Sequence, residues 1–189
     1  PGGPDGVREE PEPAAGPEGS GPPPPRRIGV LAVLAAGVYL LDLISKILVV
    51  RYVEDGPPIP IIGELLQLRV IRNSGAAFSI GTGMTVVFTV IAVAVTVVIV
   101  RTARRLRSLP WAVTLGLLLG GVLGNLTDRI FRAPAPFQGH VVDFIAVPNF
   151  PVFNLADSAI VCGGALAVFF AWRGHQIDGT RETGKEEGR

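Results

Sequence analysis

Two aspartates with unusual neighbours carry the chemistry this chain could do. Asp143 sits in Gly139-His140-Val141-Val142-Asp143-Phe144-Ile145, and Asp157 in Phe153-Asn154-Leu155-Ala156-Asp157-Ser158. Apolar neighbours argue against full solvation of Asp143, and Asp157 lies about one turn into an apolar run. Two carboxylates a few ångström apart do not both ionise readily, so such a pair shares a proton near neutral pH. One member then accepts a proton from water while the other donates one to a leaving group, as amide hydrolysis requires. The titration belongs to the pair rather than to either residue. No Ser/His/Asp or Cys/His set competes, because His140 and His175 are the only histidines. A lone histidine among aspartates lacks the spacing of a zinc helix, so no metal is expected. The one cysteine, Cys162, excludes an intrachain disulfide and reads as a small buried hydrophobe.

Further polar groups surround these two in the sequence. Asn125, Asp128 and Arg129 lie at i, i+3 and i+4, on one helix face. The plain reading there is a structural network in which Arg129 neutralises Asp128. Asp42 and Lys46 are four apart, and their plain reading is a mutual ion pair. Asn154 and Asp157 are three apart. An N-cap role explains Asn154 well and Asp157 poorly.

The elements that must position these groups are membrane helices. Of 189 residues, 48% are hydrophobic and only 17% are charged, against about 25% charged in soluble domains. The mean hydropathy is +0.45. Apolar runs cover roughly 28–50, 80–100, 111–130 and 153–170. Each approaches the ~20 residues that a helix needs to cross the hydrocarbon core. The runs are continuous rather than alternating, so helices are favoured over a barrel. Ionisable groups inside such spans cost about 2.5–3.5 kcal/mol each at mid-helix, which makes the survivors informative.

Arginine placement sets the expected topology. Arg101, Arg104, Arg105 and Arg107 crowd the second connection, Arg26 and Arg27 precede span one, and Arg173 and Arg181 follow span four. The positive-inside rule then makes both termini cytoplasmic and puts connections 51–79 and 131–152 on the outer face. Residues 65–71 of the first outer connection favour β structure, so a small strand-bearing platform is expected there. Residues 1–25 are rich in Pro, Gly and Glu and read as a disordered tail. The domain proper covers 26–173, and 174–189 reads as a disordered cytoplasmic tail. A net charge of +1 gives no sign of nucleic-acid binding. On the residues alone, two other readings stand. A small proton-coupled transporter would need intramembrane Asp, Lys and Arg, and a non-catalytic scaffold would use every polar group for packing.

Five stretches together resemble the bacterial lipoprotein signal peptidases, the signal peptidase II family. They are Asp42-Leu43-Ile44-Ser45-Lys46, Arg72-Asn73-Ser74-Gly75-Ala76-Ala77-Phe78-Ser79, Gly120 through Arg129, Val141-Val142-Asp143-Phe144 and Phe153-Asn154-Leu155-Ala156-Asp157. The resemblance implies an all-α integral membrane protein of four transmembrane helices, with a small β-platform and a short helix on the outer face. It implies an aspartic endopeptidase of the bacterial inner membrane, monomeric and without a cofactor. Its substrates would be prolipoproteins, cut before the diacylglyceryl-modified lipobox cysteine, and globomycin would inhibit it. It makes Asp143 and Asp157 the catalytic pair. Asn73, Asn125, Arg129 and Asn154 become site residues, with Asp42, Lys46 and Asp128 as further motif positions. Two features depart from the family pattern: Ser45 stands where Thr is usual, and the segment between Arg129 and Asp143 is longer.

Overall fold

The computed structural model describes residues 24–75 and 83–181. The expected tail lies outside the described residues up to position 23, as do the motif residues Ala76 to Ser79. Four long helices form a bundle: α1 (Ile28–Tyr52), α2 (Gly83–Ala103), α3 (Leu109–Phe131) and α4 (Leu155–Trp172). Each is long and apolar enough to cross a membrane. Leu40, Leu41, Ile44 and Ile47 of α1, with Val90, Val97 and Val98 of α2, are exposed on the outside of the bundle, where lipid would cover them. Cys162 also faces outward, so it is a lipid-side residue rather than the buried one expected.

Helix α3 is the axis of the bundle. Of its membrane window, 56% is buried inside the protein, against 17% for each of the other three. Small residues make this possible. A Cβ on Gly120 would lie 2.7 Å from the Ala35 carbonyl oxygen of α1, and one on Gly121 would lie 2.5 Å from the Ala156 carbonyl oxygen of α4. Both are closer than real Cβ contacts, so these glycines let three backbones approach as small-residue membrane interfaces do.

One end of the bundle carries a three-stranded antiparallel sheet, in order β1 (Ile59–Ile62), β2 (Leu66–Asn73), β3 (Val141–Ala146). Strands β1 and β2 form the hairpin expected from the first outer connection, turning through Gly63 at φ 50°. Strand β3 comes from the second connection. Its Val-Val-Asp-Phe-Ile run has the β-favouring residues that pack on a pleated surface. In the β2–β3 register Ile71 faces Asp143 and Asn73 faces Val141. Asp143 therefore sits on a strand, not a free loop. The chain after β3 stays attached to it, since the Ile145 N–H donates to the Phe153 carbonyl at 2.8 Å. Val142 and Phe144 pack with Val49 of α1 and Val53 just after it, which seats the sheet on the bundle. Among the described residues neither outer connection holds the short helix that the resemblance implies. Residues 132–140 run as turns instead, and Pro134 and Pro136 there remove backbone donors that a helix would use.

The opposite end is closed by residues 174–181, expected to be disordered. They fold back as a turn, with His175 bridged to Arg181. The Trp111 indole N–H donates to the His175 carbonyl at 2.7 Å. Ile177 packs on the apolar cluster of Leu31, Ile99 and Leu106.

The tight α3–α4 contact predicts that Gly121→Ala lowers stability by about 1–3 kcal/mol through overpacking. Gly37→Ala, with nothing within 4 Å of its added Cβ, should be near neutral. Thermal unfolding in detergent measures both, and equal midpoints for the two variants would contradict the packing described.

Candidate active site

The polar groups singled out in the sequence converge where α1, α3, β3 and the start of α4 meet. Lys46 is the centre, with only 1% of its side chain exposed. Its ammonium lies 2.7 Å from Asp42 Oδ2 and 3.0 Å from Asp128 Oδ2, and it donates to Asn125 Oδ1 at 3.0 Å. One hydrogen bond and two ion pairs thus surround the ammonium. The Asp42–Lys46 pair expected from the sequence is therefore part of a larger set.

The acids around Lys46 hold backbone as well as charge. Asp42 Oδ1 accepts the Ala156 N–H of α4 at 2.9 Å. Asp128 Oδ2 accepts the Val142 N–H of β3 at 3.1 Å. Asp128 Oδ1 takes its second cation from Arg132, one helical turn on, not from Arg129 as the sequence suggested. Residues i and i+1 of a helix point in different directions, whereas i and i+4 are neighbours. Arg132 is thus the site-supporting residue missed by sequence reasoning, although its spacing from Asp128 carries the signal.

Asn154 joins the two candidate aspartates. It caps α4 and is fully buried. Its amide nitrogen donates to Asp143 Oδ1 at 2.7 Å, with Asn125 Oδ1 at 3.1 Å and the Val142 carbonyl at 3.3 Å also in reach. Its oxygen accepts the Asp157 N–H at 2.8 Å. Asp157 Oδ2 returns a bond to the Asn154 N–H at 3.2 Å, which completes a capping box. Asp157 therefore does take part in the cap, contrary to the sequence reading. Its other oxygen accepts from the Asn125 amide at 2.8 Å. Asn73, at the end of β2, donates to Asp143 Oδ2 at 2.8 Å while its own oxygen holds the Gly75 N–H.

Asp143 is 2% exposed, whereas Asp157 is half-buried. Of the two, Asp157 is thus the more accessible. Burial pushes the Asp143 carboxyl up to about 6, and the nearby charge of Asp157 adds to the rise, against hydrogen bonds from Asn73 and Asn154 that oppose it. Arg129 lies near enough to feel the charges of Asp143 and Asp157. Its guanidinium sits 5.4 Å from the centre of the Phe88 ring, and its buried Nη1 has no hydrogen-bond partner among the described residues.

A family model described as signal peptidase (SPase) II matches residues 34–173. The chain belongs to the signal peptidase II family. All nine candidate residues fall within that match. Membership makes the protein a membrane peptidase and tells against the transporter reading. A lipoprotein signal peptidase of Streptomyces coelicolor is 63% identical over 155 residues, covering 82% of this chain and 76% of that one. One of Rhodococcus jostii is 53% identical over 170 residues, covering 88% and 85%. A solved bacterial membrane enzyme at 1.9 Å, determined by the in meso method, superposes with a TM-score of 0.68 at 29% identity. That superposition covers 76% of this chain and 93% of the solved one.

In this family member, Lys46→Met leaves the buried Asp42 carboxylate with no cation and strips one from Asp128. Breaking a buried pair costs about 3–5 kcal/mol. Chemical unfolding in mixed micelles should register a loss of that order, and a variant as stable as the parent would contradict the charge network.

Proposed function

We propose that this protein is an aspartic endopeptidase that removes signal peptides from prolipoproteins. The observation that carries the reading is the joining of Asp143 and Asp157 through one buried amide, Asn154. The relatives named as lipoprotein signal peptidases support the substrate class.

The chemistry follows from the two environments. Asp157 has an N–H donor on each oxygen and lies in the first turn of α4, and in this scheme it is the base. Asp143, buried and raised to about 6, holds the shared proton. Water gives a proton to Asp157 as its oxygen adds to the scissile carbonyl carbon. Asp143 gives its proton to the carbonyl oxygen, and a gem-diol forms. The diol then returns a proton to Asp143 as the C–N bond breaks, and Asp157 passes its proton to the leaving amine. Both aspartates finish as they began. The unpaired Nη1 of Arg129 suits a carbonyl oxygen of the substrate, and Asn73 and Asn125 hold the pair in register.

The cut falls before the diacylglyceryl-modified cysteine of the lipobox. Signal helix and acyl chains both partition into lipid, so substrate reaches a boundary site by lateral diffusion. The arginine bias assigns the sheet end to the outer face of the cytoplasmic membrane and both termini to the cytoplasm. The enzyme acts as a monomer, and globomycin blocks it by occupying the site.

Asp143→Asn and Asp157→Asn should each lower cleavage of a lipidated prolipoprotein by at least about a hundredfold, the scale of general acid–base catalysis. Purified full-length protein in detergent, with a globomycin control, provides the assay, and parental rates in either variant would overturn the reading. The pH dependence has a definite sign. A raised carboxyl keeps its proton up to about 6 and loses it above. On the alkaline side kcat/KM, which reports the free enzyme, should therefore fall with an apparent pKa of about 6. A profile flat across that region would contradict the assignment of the proton to Asp143.

A further inference from the structure

The end of the bundle remote from the aspartates holds a second polar feature that peptide hydrolysis does not use. A cavity of about 570 Å³ lies between the α2–α3 connection and the turn formed by residues 174–181. Arg101, Arg104 and Arg105 line one side, and Gln176, Ile177 and Asp178 line the other. Its volume falls within the range of small-molecule clefts.

The cavity wall is net positive among the described residues, with three guanidinium groups against one carboxylate. None of the three arginines makes an ion pair there, although Lys46, Arg72 and Arg132 elsewhere all do. The one acid in the wall is held elsewhere: Asp178 Oδ1 accepts the Thr180 N–H at 2.9 Å and its hydroxyl at 2.6 Å. Those bonds hold its carboxyl below the usual range. Arg107 of the same run donates instead to the Pro24 carbonyl. The exposed carbonyls at the end of α2 would repel an anion, but those of Arg101, Thr102 and Ala103 accept from Arg104, Arg105 and Leu106.

The walls are fixed. The Arg107 and Ser108 N–H groups both donate to the Ile177 carbonyl, at 3.0 and 3.1 Å. The turn is also tied to α3 through Trp111. Positive-inside bias requires only that arginines be present at this end. It does not require a cavity walled by them with their forks unpaired.

We propose that this cavity binds the phosphate of an anionic phospholipid headgroup. Guanidinium forks match phosphate oxygens bidentately, and basic pockets between membrane helices take anionic headgroups. The position at the ends of α2 and α4 puts the phosphate at headgroup level, with its acyl chains free to lie along the exposed apolar faces of those helices.

The test compares full-length protein with two charge-matched double variants in nanodiscs of phosphatidylcholine containing a minority of phosphatidylglycerol. One is Arg104→Gln/Arg105→Gln, inside the cavity. The other is Arg26→Gln/Arg173→Gln, exposed at the same end but outside it. Both leave other arginines to set topology. Native mass spectrometry counts retained phosphatidylglycerol. We expect one retained lipid on the parent and the control, and at least a tenfold drop in the cavity variant. Equal retention in all three, or equal loss in both variants, overturns the site, because diffuse charge then explains the binding. Millimolar inorganic phosphate separates the sources: the proposal expects little displacement of lipid. Saturable phosphate binding by the parent without lipid retention would overturn the lipid assignment.

Discussion

The Nζ of Lys46 is buried where α1 meets α3, and its polar partners come from those two helices. A lone ammonium there would be costly, and so would each of the two buried carboxylates. Assembled with Arg132, two cations balance two carboxylates. The carboxylates also do the positioning: the Asp42 oxygen that does not face Lys46 takes the Ala156 N–H at the start of α4, and Asp128 Oδ2, which faces Lys46, also takes the Val142 N–H next to Asp143. Asn125 accepts from Lys46 with its oxygen and reaches Asp157 with its nitrogen. Through these bonds, the two segments that bear the aspartates are both fixed to the same charge.

The glycines of α3 are the packing counterpart of that arrangement. Short polar side chains such as Asp42 reach across a helix interface only if the backbones are close. A Cβ on Gly124 would lie 2.5 Å from Asp42 Oδ2. The space that a larger residue would fill is the space that the carboxylate occupies. Close packing and the ionic cluster therefore depend on each other.

Much of this was legible from local spacing. The four spans, the Asp42–Lys46 pair, the cap at Asn154 and the glycine interface each depend on residues within one or two turns of one another. What spacing did not reveal depends on distant partners. Strand β3 is β-favouring in sequence, yet its role comes from pairing with β2 some seventy residues earlier, in the register of Asn73 with Val141. Arg129 beside Asp128 looked like a partner because adjacency in sequence was read as adjacency in space. The helix turns it toward Phe88 and leaves Arg132 to pair with the acid. The segment 174–189 reads as a disordered tail in sequence, but Ile177 and the Trp111 contact anchor residues 174–181.

We propose that Asp143 and Asp157 share one proton in the folded protein, with Asp143 as its carrier. Infrared spectroscopy with isotope-labelled aspartate reads this without substrate, because a protonated carboxyl has a carbonyl stretch that a carboxylate lacks. The account predicts a protonated-carboxyl band that titrates with a midpoint of about 6 and is missing from Asp143→Asn. A band that survives that substitution, or its absence throughout the titration, would contradict the shared proton and with it the catalytic assignment.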